Sequence, residues 1–137
     1  TKELNYAGAN LPLHILRENS KPQPTSHIVH SNSSHTLYQL KPNKQPIGYI
    51  FEDVNYVTHE VKLMENDILY IFTDGYADQF GGVNKKKFRY QELRHQICSM
   101  VNLPLQEQRT TLENTFRNWK GDNIQVDDVS FMGIKIP

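Results

Sequence analysis

Three aspartates stand at the ends of two strand-like segments, and they are the residues of this sequence best suited to chemistry. Asp74 follows an apolar run and precedes Gly75, so its carboxylate is expected where a strand ends at the edge of a sheet. Asp127 and Asp128 have the mirror arrangement, just before the last strand-like segment. If these two strands are neighbours, the carboxylates meet, and they repel one another unless a proton or a cation neutralises them.

Such a group of carboxylates is suited to hard divalent cations. Mg²⁺ and Mn²⁺ take oxygen ligands and usually keep several water molecules. Two such ions would activate a water molecule as a nucleophile at neutral pH and stabilise phosphoryl charge. Aspartates at strand ends are also common turn formers, so the pattern alone leaves a purely structural role open.

The elements that would position these aspartates are segregated along the chain. Strand-like segments come first, two helical segments follow, and one strand-like segment closes the chain. The strand-like segments are 3–6, 11–17, 36–40, 56–63, 68–73 and 129–136, and the helical ones are 91–101 and 105–120. This order predicts an α+β fold with layered elements and no alternating βαβ units. The polar interval 18–34 is expected to be a flexible, irregular loop.

Composition excludes several classes of function. The 137 residues suit one domain, and fifteen basic residues balance fifteen acidic ones. A net charge of zero gives no electrostatic basis for binding nucleic acid or an anionic membrane. The longest apolar run, 68–72, is too short to span a bilayer. A single cysteine cannot form an internal disulfide, which favours the cytoplasm.

Other groups of reactive residues have simpler interpretations. His27, His30 and His35 have irregular spacing in a polar segment, which favours solvated side chains over a metal site. The basic run Lys85–Lys87 could attract a phosphorylated partner, but a charged surface loop is the simpler reading. Cys98 lies in a predicted helix with no activating base in view, so we interpret it as a packing residue.

An ordered series of motifs extends over nearly the whole chain. In chain order the segments are Tyr6–Leu13, Pro46–Gly48, Asn66–Asp67, Tyr70–Gly75, Asp78, Phe88, Leu93 and Gln125–Ser130. These segments resemble motifs of the SpoIIE-like, sporulation-type branch of the PPM protein phosphatases. In the same order, the family's motifs are "AGxNxPL" for Tyr6–Leu13, "GD" for Asn66–Asp67, "hhhhTDG" for Tyr70–Gly75, "FG…L" for Phe88 and Leu93, and "DDhT" for Gln125–Ser130, and the family often has an acidic residue at the position of Asp78. The segments Asp78–Gly82 and Trp119–Gly121 further resemble variants that are fused to large bacterial sensor proteins.

The resemblance implies an architecture and a set of metal ligands. The architecture is the antiparallel PPM β-sandwich with a helix pair packed on one face. By the family's motifs, Asp74 and Asp127 are metal ligands for Mg²⁺ or Mn²⁺ in a two-metal site. Asp128 is a supporting residue, and Gly75 makes the turn that lets Asp74 face the metals. No catalytic residue beyond the metal ligands is implied.

One family motif has no counterpart in the sequence. The upstream "DxxGHG"-type motif, which provides a bridging aspartate, is absent from the 137 residues. We therefore expect residues 1–137 to be a single partial domain, the C-terminal portion of a PPM-type phosphatase domain. We expect this segment to be inactive alone, with its metal site empty or partly occupied.

The resemblance also suggests a cellular role. It implies a bacterial, cytoplasmic serine/threonine phosphatase that hydrolyses phosphoserine or phosphothreonine with a metal-activated water. The expected partners are a phosphorylated regulator of the anti-sigma-factor antagonist type and an upstream sensor region of the same polypeptide, which could anchor it to a membrane. We expect no nucleic acid partner and no membrane contact by this segment. The alternative is a degenerate PPM-like module that senses or binds a partner without chemistry.

Overall fold

The structure is a computed structural model that describes residues 2–48 and 55–137. Nine strands and three helices are found in these residues. The strands are β1 (Lys2–Tyr6), β2 (Leu13–Glu18), β3 (His27–Ser31), β4 (His35–Leu40), β5 (His59–Leu63), β6 (Ile68–Phe72), β7 (Phe80–Gly81), β8 (Lys86–Lys87) and β9 (Phe131–Lys135). The helices are α1 (Gly75–Asp78), α2 (Tyr90–Ser99) and α3 (Leu105–Lys120).

The strands form three sheets. The largest has five strands in the order β3-β4-β2-β6-β9, and two smaller sheets are formed by β1 with β5 and by β7 with β8. The pairs β1–β5, β2–β4, β2–β6, β3–β4 and β7–β8 are all antiparallel. Helices and strands are not interleaved as βαβ units, so the expected α+β class with antiparallel sheets is confirmed.

The contacts divide the chain into two compact units. The first contains the described residues up to Ile71 together with Gly133–Pro137, and the second is Phe72–Met132. The core of the first unit comes from β2, β4, β5 and β6. Its buried members are Leu13, Ile15, Tyr38, Leu40, Leu63, Leu69 and Ile136. Strand β2 is buried along almost its whole length because it lies between β4 and β6.

A buried ion pair stabilises the first unit where β5 turns into β6. The Arg17 guanidinium donates to both carboxylate oxygens of Asp67, with the shortest contact at 2.6 Å. The same guanidinium also donates to the carbonyl oxygens of Pro22 and Lys62. Asn66, which precedes this aspartate, has a φ of 67°. The "GD" resemblance is thereby explained, since asparagine tolerates the left-handed conformation better than most residues other than glycine.

Two features of the first unit are not evident from the sequence. The strand-like segments 3–6 and 11–17 are neighbours in sequence, but β1 pairs with β5 while β2 pairs with β4 and β6. The interval 18–34 is also more regular than its polar composition suggests, because β3 lies within it and pairs with β4. Pairing with a buried neighbour overrides the weak strand propensity of this segment.

The second unit contains both long helices. They begin and end close to the bounds predicted from sequence, 91–101 and 105–120. The Tyr76 hydroxyl donates to the α3 carbonyl oxygen of Leu112 at 3.0 Å, and the Gln96 amide of α2 donates to Thr115 of α3 at 2.8 Å. These bonds hold the two helices and α1 together. Within the described residues, no helix has the length and apolar character needed to cross a membrane.

Candidate active site

The two aspartate-bearing segments lie in direct contact within the second unit. The Thr73 amide donates to the Ser130 carbonyl oxygen at 3.1 Å. The Thr73 hydroxyl donates to the Asp128 carbonyl oxygen at 3.0 Å and accepts the Ser130 amide at 2.9 Å. The rings of Phe72 and Phe131 stack with their centroids 5.0 Å apart. One hydroxyl therefore joins the residues next to Asp74 to the residues next to Asp127.

Gly75 allows the closest approach between the two segments. A Cβ atom at this position would lie 2.3 Å from the carbonyl oxygen of Asp128 and 3.3 Å from the carbonyl carbon of Asp127. Any side chain would therefore force the segments apart. Gly75 is also the first residue of α1, where the Asp78 amide donates to the Asp74 carbonyl oxygen at 2.9 Å. The predicted role of Gly75 as a turn residue stays a prediction, but its close packing gives a physical reason for glycine here.

Asp74, Asp127 and Asp128 are all exposed. One carboxylate oxygen of Asp127 accepts the Asp128 amide at 2.7 Å, which orients that side chain. The Gln125 side chain donates to the Asp127 carbonyl oxygen at 2.9 Å. In the described part of the chain, the Asp74 carboxylate receives no hydrogen bond and forms no ion pair. Exposed carboxylates with free lone pairs are available to a cation from solvent.

We call the exposed residues Asp74, Asp127 and Asp128 the acidic edge, and the first turn of α2 lies in the electrostatic field of Asp74 and of the nearby Asp78. Burial raises the pKa of Tyr90, and the carboxylates of Asp74 and Asp78 raise this pKa further. The Arg94 guanidinium lies over the Tyr90 ring, 5.5 Å from its centroid. Burial lowers the pKa of Arg94, and the Coulombic interaction with Tyr90 opposes that shift. The cationic Arg94 side chain thus lies close to Tyr90, whose pKa is raised by the Asp74 and Asp78 carboxylates.

The donor atoms at this edge fit a hard divalent cation, though only as part of its ligand set. Carboxylate oxygens are the ligands that Mg²⁺ and Mn²⁺ prefer, and Asp74 and Asp127 both offer them to solvent. Over residues 2–48 and 55–137, however, no group of three or more His, Cys, Asp or Glu side chains is arranged to hold a metal ion. Any metal at this edge would need further ligands, from water or from other protein groups.

The histidines and the cysteine that the sequence offered as reactive residues do not belong to this site. His27 and His30 lie on β3 and His35 begins β4, all three in the first unit. Burial lowers the pKa of His35, although Glu18 opposes the shift. Cys98 is buried in α2, and burial raises the pKa of its thiol to about 11. A thiol with this pKa is almost entirely protonated at neutral pH and is a poor nucleophile.

Sequence reasoning missed the residues that join the two aspartate segments. Thr73 and Ser130 carry the hydrogen bonds, and neither was a candidate. The signal was present in the sequence only at Thr73, a hydroxyl residue at a strand end, because Ser130 takes part through its backbone amide and carbonyl groups. Such residues bond to backbone groups where strands end. Helix α1, which begins immediately after Asp74, was also not predicted.

Comparison with solved structures reveals a similar fold. The SiaA-PP2C domain of Pseudomonas aeruginosa superposes with a TM-score of 0.76 at 24% sequence identity. The match covers 98% of this chain but 47% of that one, so this chain spans about half the length of the SiaA chain. Comparison with curated protein sequences gives no match. The family model described as Stage II sporulation protein E (SpoIIE) matches residues 3–137, and the chain therefore belongs to the SpoIIE family.

Proposed function

We propose that this chain is the C-terminal part of a metal-dependent phosphatase domain that hydrolyses phosphoserine or phosphothreonine on a signalling protein. One observation carries the proposal: Gly75 packs directly on the Asp127–Asp128 backbone, so the family's two aspartate motifs lie at one edge. Membership of the SpoIIE family and the PP2C-like fold support a phosphatase domain. The substrate class and the metal dependence are part of the proposal and are inferred from the family.

In this proposal Asp74 and Asp127 are the metal ligands, and Asp128 and Gly75 support them. Mg²⁺ or Mn²⁺, when bound, supplies charge neutralisation and lowers the pKa of water. The chain's own residues keep the acidic edge in place: the Thr73 hydroxyl holds the Asp128 carbonyl oxygen, and the Asp128 amide orients the Asp127 carboxylate. A fixed arrangement matters because positioning supplies much of the catalysis in phosphoryl transfer.

The 137-residue chain alone should be catalytically silent. Two carboxylates on an exposed edge hold Mg²⁺ weakly, because this ion demands a near-octahedral shell and dehydrates reluctantly. The family's bridging aspartate, which would join two ions, has no counterpart in these residues. We infer that this ligand comes from another part of a longer polypeptide, and that the complete domain is the active form.

The remaining parts of the proposal concern the cellular setting. By family analogy the substrate is a phosphorylated regulator of the anti-sigma-factor antagonist type, and a sensor region in the same polypeptide controls the activity. We propose a cytoplasmic location for this segment, in keeping with its single buried cysteine.

Hydrolysis by the longer polypeptide tests the proposal. A phosphoserine peptide should be dephosphorylated in the presence of Mn²⁺, and Asp74→Ala or Asp127→Ala should lower kcat/KM about a thousandfold. Asp122→Ala is the matched control, since Asp122 is also exposed and lies in the second unit. Activity that survives both Asp74→Ala and Asp127→Ala would contradict the assignment, as would hydrolysis by the 137-residue chain at a rate near that of the longer polypeptide.

A second candidate function is a PPM-like module that binds a partner without hydrolysis. A module that only binds would need no third metal ligand, and the described residues contain no group of three or more His, Cys, Asp or Glu side chains arranged to hold a metal ion. Under this alternative, the longer polypeptide would bind a phosphorylated partner but release no phosphate with Mn²⁺ or Mg²⁺. The same hydrolysis assay therefore separates the two functions.

A further inference from the structure

We propose that the basic hairpin, defined as residues 80–87, binds acidic residues that flank the phosphorylated residue of a protein substrate. This inference rests on the proposed function and adds a specificity element to it. The hairpin consists of β7 and β8, in which Phe80 pairs with Lys87 and Gly81 pairs with Lys86. The three consecutive lysines, Lys85–Lys87, occupy its second half and are exposed.

Positive charge is concentrated in this part of an otherwise neutral chain. From Asp78 to Ser99 the sequence contains five Lys and Arg residues and two acidic residues, Asp78 and Glu92, which gives a net charge of +3. The five are Lys85, Lys86, Lys87, Arg89 and Arg94. The whole chain has a net charge of zero. A local surplus of this size makes a positive patch that attracts acidic partners and raises their association rate.

The hairpin is fixed in place by Trp119 of α3. A Cβ on Gly81 would lie 1.8 Å from the Trp119 carbonyl oxygen, and a Cβ on Gly82 would lie 2.8 Å from the Trp119 ring. The Gly82 amide donates to that carbonyl oxygen at 3.0 Å, and the indole N–H donates to the Gln79 carbonyl oxygen at 2.9 Å. The two segments that resemble sensor-fused variants thus contact each other. A fixed hairpin binds with less loss of conformational entropy than a mobile loop.

The hairpin is also tied to the acidic edge. The Lys87 ammonium donates to the Asp78 carboxylate at 2.9 Å, and the Asp78 amide donates to the Asp74 carbonyl oxygen at 2.9 Å. Lys87 is therefore occupied, while the side chains of Lys85 and Lys86 make no hydrogen bond or ion pair within the described residues. These two ammonium groups, on the same hairpin as Lys87, are left for acidic side chains of a bound segment.

A protein substrate fits this arrangement better than a nucleic acid. A nucleic acid carries a negative charge on every phosphate, so a strand along the lysines would continue its charge past the exposed carboxylates of Asp74, Asp127 and Asp128. A peptide can instead place acidic side chains on the lysines and neutral ones elsewhere. The partner that matches the pattern is a phosphorylated segment with acidic residues next to the phosphoresidue.

Peptide binding to the 137-residue chain tests this proposal without turnover. The probes are a fluorescent phosphoserine peptide flanked by four glutamates, the same peptide with four glutamines, and a DNA duplex of equal charge. The variants are Lys85→Gln with Lys86→Gln, and a matched control, Lys41→Gln with Lys44→Gln, which removes two exposed lysines of the first unit. Binding is measured by fluorescence anisotropy at two salt concentrations, with circular dichroism to check folding.

The hairpin variant should weaken binding of the glutamate peptide about tenfold, with little effect on the glutamine peptide, since two charge contacts are lost. The control should change the affinity by less than about twofold.

A Lys85→Glu, Lys86→Glu variant should prefer a peptide with lysine flanks, which guards against a loss caused by misfolding. Equal losses in hairpin and control variants, no binding of the glutamate peptide, or tighter binding of the duplex would each overturn the proposal. Failure of the Asp74 hydrolysis test would instead overturn the proposed function, and the two failures are distinguishable because the binding assay measures no turnover.

Discussion

Strand β6 has an aspartate near each end, Asp67 immediately before it and Asp74 shortly after it. The Asp67 side chain is 1% exposed and accepts hydrogen bonds from Arg17 and from the Met64 amide. The Asp74 side chain is exposed and, in the described residues, receives no hydrogen bond and forms no ion pair. The sequence context of the two is alike, since each aspartate adjoins the same buried strand.

The difference between these two regions separates a structural carboxylate from one that is available for chemistry. A buried carboxylate must be paired, and at Asp67 Arg17 and a backbone amide take up its lone pairs. Such a group has no capacity left for a ligand. At Asp74 the protein positions the backbone, through Thr73 and Gly75, and leaves the side chain free. Rigid backbone with an unpaired carboxylate is what a ligand-binding edge requires.

The largest expected effect on stability is at Asp67, the buried aspartate next to β6. Asp67→Ala should lower the free energy of unfolding by about 3–5 kcal/mol, because it leaves the Arg17 guanidinium buried without its counter-ion. Asp74→Ala should change the same quantity by about 0.5 kcal/mol or less. Urea denaturation followed by circular dichroism measures both. Equal losses for the two variants would break the comparison.

The next effect concerns the space at Gly75. Gly75→Ala should destabilise the protein by about 1–3 kcal/mol, because the added methyl group would overlap the Asp128 carbonyl oxygen. Relief of this overlap should also move the backbone at 127–130, which amide chemical shifts in an NMR spectrum would detect. A substitution with no change in stability and no shift at these residues would show that the two segments are not in contact.

The smallest effect should come from the hydroxyl that joins the segments. Thr73→Val removes one donor and one acceptor and should cost about 1–2 kcal/mol of unfolding free energy. Thr73→Ser keeps the hydroxyl and is the matched control, for which a smaller loss is expected. If the two variants were equally unstable, the stabilisation would come from packing of the threonine methyl group and not from its hydrogen bonds.

Much of the fold could be predicted because its signals are local. The helices at 91–101 and 105–120 followed from apolar residues at helical spacing, and the buried strand at 68–73 followed from its continuous apolar run. The pairing of β1 with β5 was not predicted, because it joins segments more than fifty residues apart and no local pattern reports it. Strand β3 was missed because its polar side chains gave no alternating pattern.

The candidate site could be predicted only in part, for a related reason. The motifs around Asp74 and Asp127 identified the two aspartates, yet nothing in either motif alone says that their backbones touch. That contact depends on Gly75 and Thr73, whose roles appear only when the strand ends are brought together. We predict a separation of roughly 4–7 Å between the Asp74 and Asp127 carboxylates, close enough for them to share a two-metal cluster.

Mn²⁺ titration of the 137-residue chain, followed by paramagnetic broadening of amide NMR signals, tests the central claim most directly. This measurement detects weak binding and needs no catalytic activity. If Asp74 and Asp127 form one cation-binding edge, broadening should be centred on residues 73–75 and 127–128, and Asp74→Asn or Asp127→Asn should each remove it. Broadening centred instead on the histidines of β3 and β4, or unchanged in both variants, would contradict the account.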